Sequence, residues 1–382
     1  MPHCYSGLTQ RCIPLCHNAA IMCFFGAIYG CGPITSLSSR PPGKEMPRHV
    51  ALVATFDLPR RHRLRGLLSF PLWRHHRLKN WHVCLLGRSH PLSTATSLSE
   101  LVTGISAVTF ANAPNIAVGN VLGSTVFNLL ILVMLDALYR RETLYSRAAQ
   151  GHILSASLGM TLIAFAGFSL LLDQAGMSPA WGHVGLYSPF IVLVYFVAMR
   201  IVYSYERRIL SEYTEVSAER YPDVTLGSAV KGYALAATAV VIAGSWLPFI
   251  AKDISDLMGW GQSFVGTLLV TVVTSAPEVA VTISALRIGA LDMAIANLLG
   301  SNLFNIIILS VDDVLYTKGP LLAHVDASHA LTAFTSVMMN ALVIAGFIYR
   351  PQGRTVLGLT WVSLGLFMLY VLNSWIIFGH AQ

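Results

Sequence analysis

Charge is what this sequence has least of. Only 11% of its 382 residues are Asp, Glu, Lys or Arg, while 54% are hydrophobic; a soluble domain carries about 25% charged residues. That is too little to coat the two or three soluble domains the length alone would allow. It also excludes a disordered or collagen-like chain, and a polytopic membrane protein is the class that remains. Cysteine is absent after residue 84. All six (Cys4, Cys12, Cys16, Cys23, Cys31 and Cys84) fall in the first ninety residues, so no disulfide staples the rest. Their spacing is not that of a zinc site. HExxH, GxSxG and GxxxxGK[ST] are all missing, which leaves a membrane protease or a nucleotide-driven pump without support. Neither an enzyme nor a cofactor is expected from these absences.

What is present divides near residue 92. The first ninety residues hold 12 of the 25 Lys and Arg, 8 of the 13 His, and only Glu45 and Asp57 as acids, a net charge of +10. The remainder carries −3. From residue 92 the chain reads as apolar spans at 92–110, 114–135, 151–172, 184–203, 225–250, 262–286, 291–311, 327–349 and 355–378, each close to the ~20 residues that cross a bilayer. Arg140, Arg141, Arg147, Arg207, Arg208, Arg220, Lys231, Arg287, Arg350 and Arg354 fall in one alternate set of loops; the other set holds only Lys252 and Lys318. This asymmetry places the first set in the cytoplasm and Gln382 outside.

The chain also repeats itself. Thr96-Ser97-Leu98-Ser99-Glu100 matches Thr274-Ser275-Ala276-Pro277-Glu278 at an offset of 178. At an offset of 177, the run from Gly119 to Asn128 (GNVLGSTVFN) matches that from Ala296 to Asn305 (ANLLGSNLFN), and Asp136-Ala137-Leu138-Tyr139 matches Asp313-Val314-Leu315-Tyr316. Ordered agreement of this kind marks a duplication. The loop charges make the first span of the pair run outward and its copy inward, an inverted-topology repeat of the kind found in secondary transporters. Copy two has five spans and copy one has four after residue 92, so the first helix of copy one is missing or degraded. The expected fold is an all-α, inverted-repeat antiporter: an atypical basic segment at 1–91, repeat one at 92–205, a cytoplasmic linker at 206–224 and repeat two at 225–378.

The repeated residues suit a cation. Glu100 and Glu278 lie inside apolar spans, where a lone carboxylate costs roughly 2.5–3.5 kcal/mol on insertion scales. Thr274 and Ser275 share the face of Glu278. Pro277 removes the helical partner of the Val273 carbonyl, which predicts a kink with free backbone oxygen. Asn120, Ser124 and Asn128 form an i, i+4, i+8 stripe, as do Asn297, Ser301 and Asn305. Gly119/Gly123 and Ala296/Gly300 permit close helix approach. Two carboxylates with hydroxyl and amide oxygens, and neither sulfur nor imidazole, suit a hard cation. Two negative charges match one Ca²⁺, and Na⁺ can use the same oxygens.

These motifs, TSxxE and GNxxGSxxFN in two copies, closely resemble those of the sodium/calcium exchanger superfamily, in its compact bacterial-type members. The resemblance covers about residues 92–378. It implies ten spans in two inverted five-helix halves and alternating-access exchange of Ca²⁺ for Na⁺ or H⁺. It places the ion-coordinating positions on Thr96, Ser97, Glu100, Ser124 and Asn128, and on Thr274, Ser275, Glu278, Ser301 and Asn305. Ser99 stands where the family has a kinking proline, and Thr125 where it has Asn. Both copies carry Asn (Asn128 and Asn305) where some members use one Asp.

Other readings suit some of the same residues. The serines also suit helix packing, and Asn120 and Asn297 suit interhelical hydrogen bonds. Asp136 and Asp313, at span ends, read as solvated loop residues. The basic segment reads first as a shifted reading frame and next as an arm on the anionic cytoplasmic membrane face. No nucleic-acid motif accompanies its charge. A non-transporting relic or partner-binding subunit is the alternative function. The location expected is the bacterial inner membrane; the oligomeric state is open.

Overall fold

The computed structural model describes residues 90–140, 142–177, 179–212, 226–355 and 358–380. The expectations for segment 1–91, and for a first helix of copy one, lie outside these residues almost entirely. The described chain is helical apart from one two-residue hairpin, β1 (Ala180–Trp181) with β2 (Val184–Gly185). Copy one contributes α1 (His90–Thr96), α2 (Leu98–Thr109), α3 (Pro114–Leu138), the short α4 (Leu144–Arg147), α5 (Gly151–Gln174) and α6 (Tyr187–Glu212). Copy two contributes α7 (Leu226–Met258), α8 (Gln262–Phe264), a π-helical turn at Val265–Val270, α9 (Thr271–Thr274), α10 (Ala276–Arg287), α11 (Leu291–Leu315), α12 (Ser328–Tyr349) and α13 (Trp361–His380).

Seven of these helices are long and apolar enough to cross a membrane, and the bent pair Gln262–Thr274 and Ala276–Arg287 makes an eighth span. The apolar α1–α2 pair supplies the ninth by the sequence reading. The outer helices show bulky side chains such as Phe196, Trp246, Phe367 and Trp375 on their exposed faces, as a lipid-facing surface requires. At the centre α3 packs on α11, its own copy, and around them α5 packs on α12, again copy on copy. The π turn and α9 also lie close on α3, an approach that depends on Gly123, where an added Cβ would overlap Thr267 O and Thr271 Oγ1. The duplication reaches the connections. Asn112, between α2 and α3, has φ 50°, and Gly289, its counterpart between α10 and α11, has φ 70°. Both take the left-handed conformation that Gly and Asn tolerate best.

Asp136 and Asp313 are not solvated loop residues; both are fully buried. Each sits at the end of its helix and gathers the following connection. Asp313 accepts from Leu321 N (2.7 Å), Gly185 N (3.0 Å), Tyr187 Oη (2.5 Å) and Ser188 Oγ (2.5 Å). Asp136 accepts from Leu144 N (3.4 Å), Thr360 N (2.9 Å), Thr360 Oγ1 (3.0 Å) and Ser363 Oγ (2.8 Å), with Arg354 at 3.8 Å. A buried carboxylate is stable only when satisfied in this way. Repetition of the acid in both copies was the signal pointing to a shared structural role.

Candidate cation site

The site forms where both broken helices meet the central pair. In copy two the helix breaks at Ser275 (φ −82°, ψ 8°), and the two pieces are bent by 41°. Pro277 falls in the first turn of α10, where its missing N–H costs nothing. The proline thus begins a helix, and the Ser275 N–H before it donates to Thr271 O at 2.9 Å. Copy one breaks at the equivalent Ser97 (φ −77°, ψ 12°) without a proline, so the continuous span expected at 92–110 is two helices. Both breaks put the glutamate in the first turn of the second piece.

The two glutamates are fully buried, and their hydrogen bonds cross between copies. Ser97 Oγ donates to Glu278 Oε1 at 3.2 Å, and Ser275 Oγ to Glu100 Oε1 at 3.2 Å. Each glutamate also takes one serine from its own copy: Ser124 Oγ to Glu100 Oε1 at 3.4 Å, and Ser301 Oγ to Glu278 Oε1 at 3.4 Å. Thr96 Oγ1 lies 3.3 Å from Ser301 Oγ and 3.4 Å from Asn297 Oδ1. Thr274 Oγ1 donates to Asn120 Oδ1 at 2.8 Å. Eight of the ten expected positions therefore lie in hydrogen-bonded groups related by the duplication, and Ser99 joins these groups through Thr96 O, Glu100 Oε2 and Thr274 O.

The two asparagines behave differently. Asn128 Nδ2 donates to Asn302 Oδ1 at 3.0 Å, and its own Oδ1 has no partner. Neither side-chain atom of the buried Asn305 has a partner. Asn120 and Asn297 make the interhelical hydrogen bonds their positions suggested.

Ser99, read as a departure from a family proline, is a member of the cluster. Its Oγ lies 2.7 Å from Thr274 O, 2.9 Å from Glu100 Oε2 and 3.1 Å from Thr96 O. A hydroxyl has one proton, so two of these three oxygens lack a donor from Ser99 at any moment. Glu278 Oε2 has no partner at all. Buried acceptors thus outnumber donors around two carboxylates, an arrangement that a bound cation balances. Among the described residues no three His, Cys, Asp or Glu converge as a metal cluster; the oxygens here come from two carboxylates, hydroxyls, amides and backbone.

Known proteins resemble this chain in sequence and fold. The model of the sodium/calcium exchanger protein family matches residues 92–199 and 229–378. The inner membrane protein YrbG of Escherichia coli K12 is 24% identical over 281 residues, covering 73% of this chain and 83% of that protein. The sodium/calcium exchanger MaX1 of Methanosarcina acetivorans is 33% identical over 140 residues, 36% of this chain and 37% of its own. The solved sodium-calcium exchanger NCX_Mj, soaked with Na⁺ and Sr²⁺, superposes with a TM-score of 0.53 at 20% identity over 81% of this chain and 92% of that one. That likeness establishes the inverted-repeat fold. With more than half its length matched by one family, this chain belongs to the sodium/calcium exchanger family and is an integral-membrane cation antiporter, not an enzyme.

Proposed function

We propose that the chain exchanges Ca²⁺ for Na⁺ or H⁺ by alternating access, with Glu100 and Glu278 binding the two ions in turn. The observation that carries this is the crossed pair of contacts, Ser97 to Glu278 and Ser275 to Glu100. Each carboxylate is held by the other repeat, so an ion between them holds both repeats together. Thr96, Thr274, Ser124 and Ser301 would complete the oxygen shell, and Asn128 and Asn305 would supply amide oxygens. Two carboxylates neutralise one Ca²⁺, and hydroxyl, amide and backbone oxygens are its usual further ligands. Two monovalent ions supply the same charge, so the competitors exclude each other electrostatically, and rocking of one repeat against the other (92–205 against 225–378) would alternate access. The naming of the relative MaX1 as a sodium/calcium exchanger supports Na⁺ as the partner ion. Loop charge places the α10–α11 connection in the cytoplasm and the C-terminus outside, in a bacterial inner membrane as the name of the E. coli relative suggests.

The test is Ca²⁺ flux in membrane vesicles. Glu278→Gln keeps the shape and removes the charge, and should abolish exchange while leaving insertion intact. Normal flux in that variant would overturn the proposal.

A further inference from the structure

Asp312 is a carboxylate that this mechanism does not use. It lies on α11 beside Asp313, is fully buried, and neither of its oxygens has a hydrogen-bond partner. Asp313 is no help to it, being a second negative charge already saturated with four donors. No Lys, Arg or His among the described residues pairs with it. The lysines nearest the end of α2 are engaged elsewhere: Lys252 Nζ with Ala111 O at 3.4 Å, and Lys318 Nζ with Asn112 Oδ1 at 2.7 Å. An ionised carboxylate in this position costs several kcal/mol unless a cation reaches it.

Its placement says where such a cation would come from. α2 and α11 lie side by side and run in the same direction. At one level Ser97 and Ser301 both donate to Glu278. Further along both helices, Gly104 abuts Asp312 so closely that a Cβ at Gly104 would overlap the carboxylate. Between these levels, one turn beyond Ser301, lies Asn305, whose side-chain atoms are also buried and unpartnered. On a helix, Ser301, Asn305 and Asp312 share one face. The α2–α11 seam therefore leads from the cation pocket, past an amide without partners, to an acid without partners. The corresponding seam between α3 and α10 does not end this way: the duplication puts Leu135 opposite Asp312 and Thr282 opposite Gly104.

We propose that Asp312 is a third cation-binding carboxylate, a station for the transported metal ion on the α2–α11 seam between the Glu100–Glu278 pocket and the membrane face at which α11 ends. The seam is closed at this level in the present conformation, with Gly104 against the carboxylate, and it opens when α2 and α11 part. The inference rests on the exchange reading above. Because copy one has leucine at this position, the station serves one face only.

The experiment is the Ca²⁺ dependence of exchange measured separately from each face, in right-side-out and inverted vesicles, for wild type and Asp312→Asn. The amide preserves shape and removes charge. The expected result is an apparent KM for Ca²⁺ raised roughly ten-fold, the lower end of what a charged cleft contributes to ion capture, at the face carrying Lys318 and not at the other. An unchanged KM at both faces would overturn the station. So would a variant whose pH profile moves while its Ca²⁺ dependence does not, which would make Asp312 a proton carrier. Glu278→Gln measured in parallel separates the two claims: an inactive Glu278→Gln beside an unaffected Asp312→Asn removes the station and leaves the exchange mechanism standing, whereas an active Glu278→Gln removes both. Asp312→Glu, which restores charge, provides the rescue arm if Asp312→Asn inserts poorly.

Discussion

The two copies of the repeat agree at the helix breaks and again at the helix ends, and diverge along the faces between. At the break they match residue for residue: Ser97 and Ser275 have nearly the same dihedrals, and their contacts to the opposite glutamate have the same length, 3.2 Å. A few residues along, they part. Pro277 begins α10, while Ser99 occupies its place in α2 and reaches Glu100 and Thr274 O. α2 is covered by α7, where Gly244 lies against Thr103 Oγ1 and Ser106 Oγ donates to Ser245 O at 2.6 Å. Farther still, Asp312 faces Gly104 where copy one has Leu135. Two repeats that both bind one ion must keep the same ligand geometry. The surfaces that meet different neighbours carry no such constraint, so a duplicated transporter can stay symmetric at its site and become asymmetric along its routes.

The comparison can be broken most severely at the glutamates. If the pocket is symmetric, Glu100→Gln should silence Ca²⁺ flux as fully as Glu278→Gln; substantial transport by one of the pair alone would mean that one repeat does the binding. The next largest effect belongs to the helix-end acids. Asp313→Asn and Asp136→Asn each leave buried donors facing an amide that can accept fewer of them, at a cost of about 3 kcal/mol, read as a lowered melting temperature of the detergent-purified protein. A loss in one and none in the other would show that the shared geometry is not shared energetics. Gly123→Ala drives a methyl group into Thr267 and Thr271, and overpacking of this kind costs typically about 1–3 kcal/mol; thermal melting again reports it. Smallest is the proline. Since copy one breaks without one, Pro277→Ala should cost under ~1 kcal/mol and leave exchange running, and a collapse of transport would show that the proline itself holds the site open.

Much of this was legible in the chain. The spans followed from apolar runs, and the pocket from residues occurring twice at offsets of 178 and 177, because duplication repeats polar residues along with helices. The misreadings have physical causes. The span read as 225–250 ends where Lys252, Asp253 and Asp256 begin, yet α7 continues to Met258, since a helix is not obliged to stop where its hydrophobicity does. The reverse holds at 355–378: α13 starts only at Trp361, after a turn in which Thr355 N donates to Leu359 O at 2.7 Å. In the sequence Asp136 and Asp313 read as solvated, because acids at span ends usually are. Their remaining donors come from far along the chain, Thr360 and Ser363 in one case and Gly185, Tyr187 and Ser188 in the other, and no local pattern foretells that. Ser99 reads in the sequence as a missing proline, whereas in the structure its hydroxyl contacts Glu100 Oε2 and Thr274 O.

The central claim is that one cation pocket is built jointly by Glu100 and Glu278. Its most direct test is Ca²⁺-dependent thermal stabilisation of the purified protein, in wild type and in the two glutamine variants. A ligand that binds only the folded state raises the melting temperature with concentration. The account predicts a Ca²⁺-dependent rise in wild type and its loss in both Glu100→Gln and Glu278→Gln. A rise that persists in either variant, or a wild type that does not respond to Ca²⁺, would contradict it.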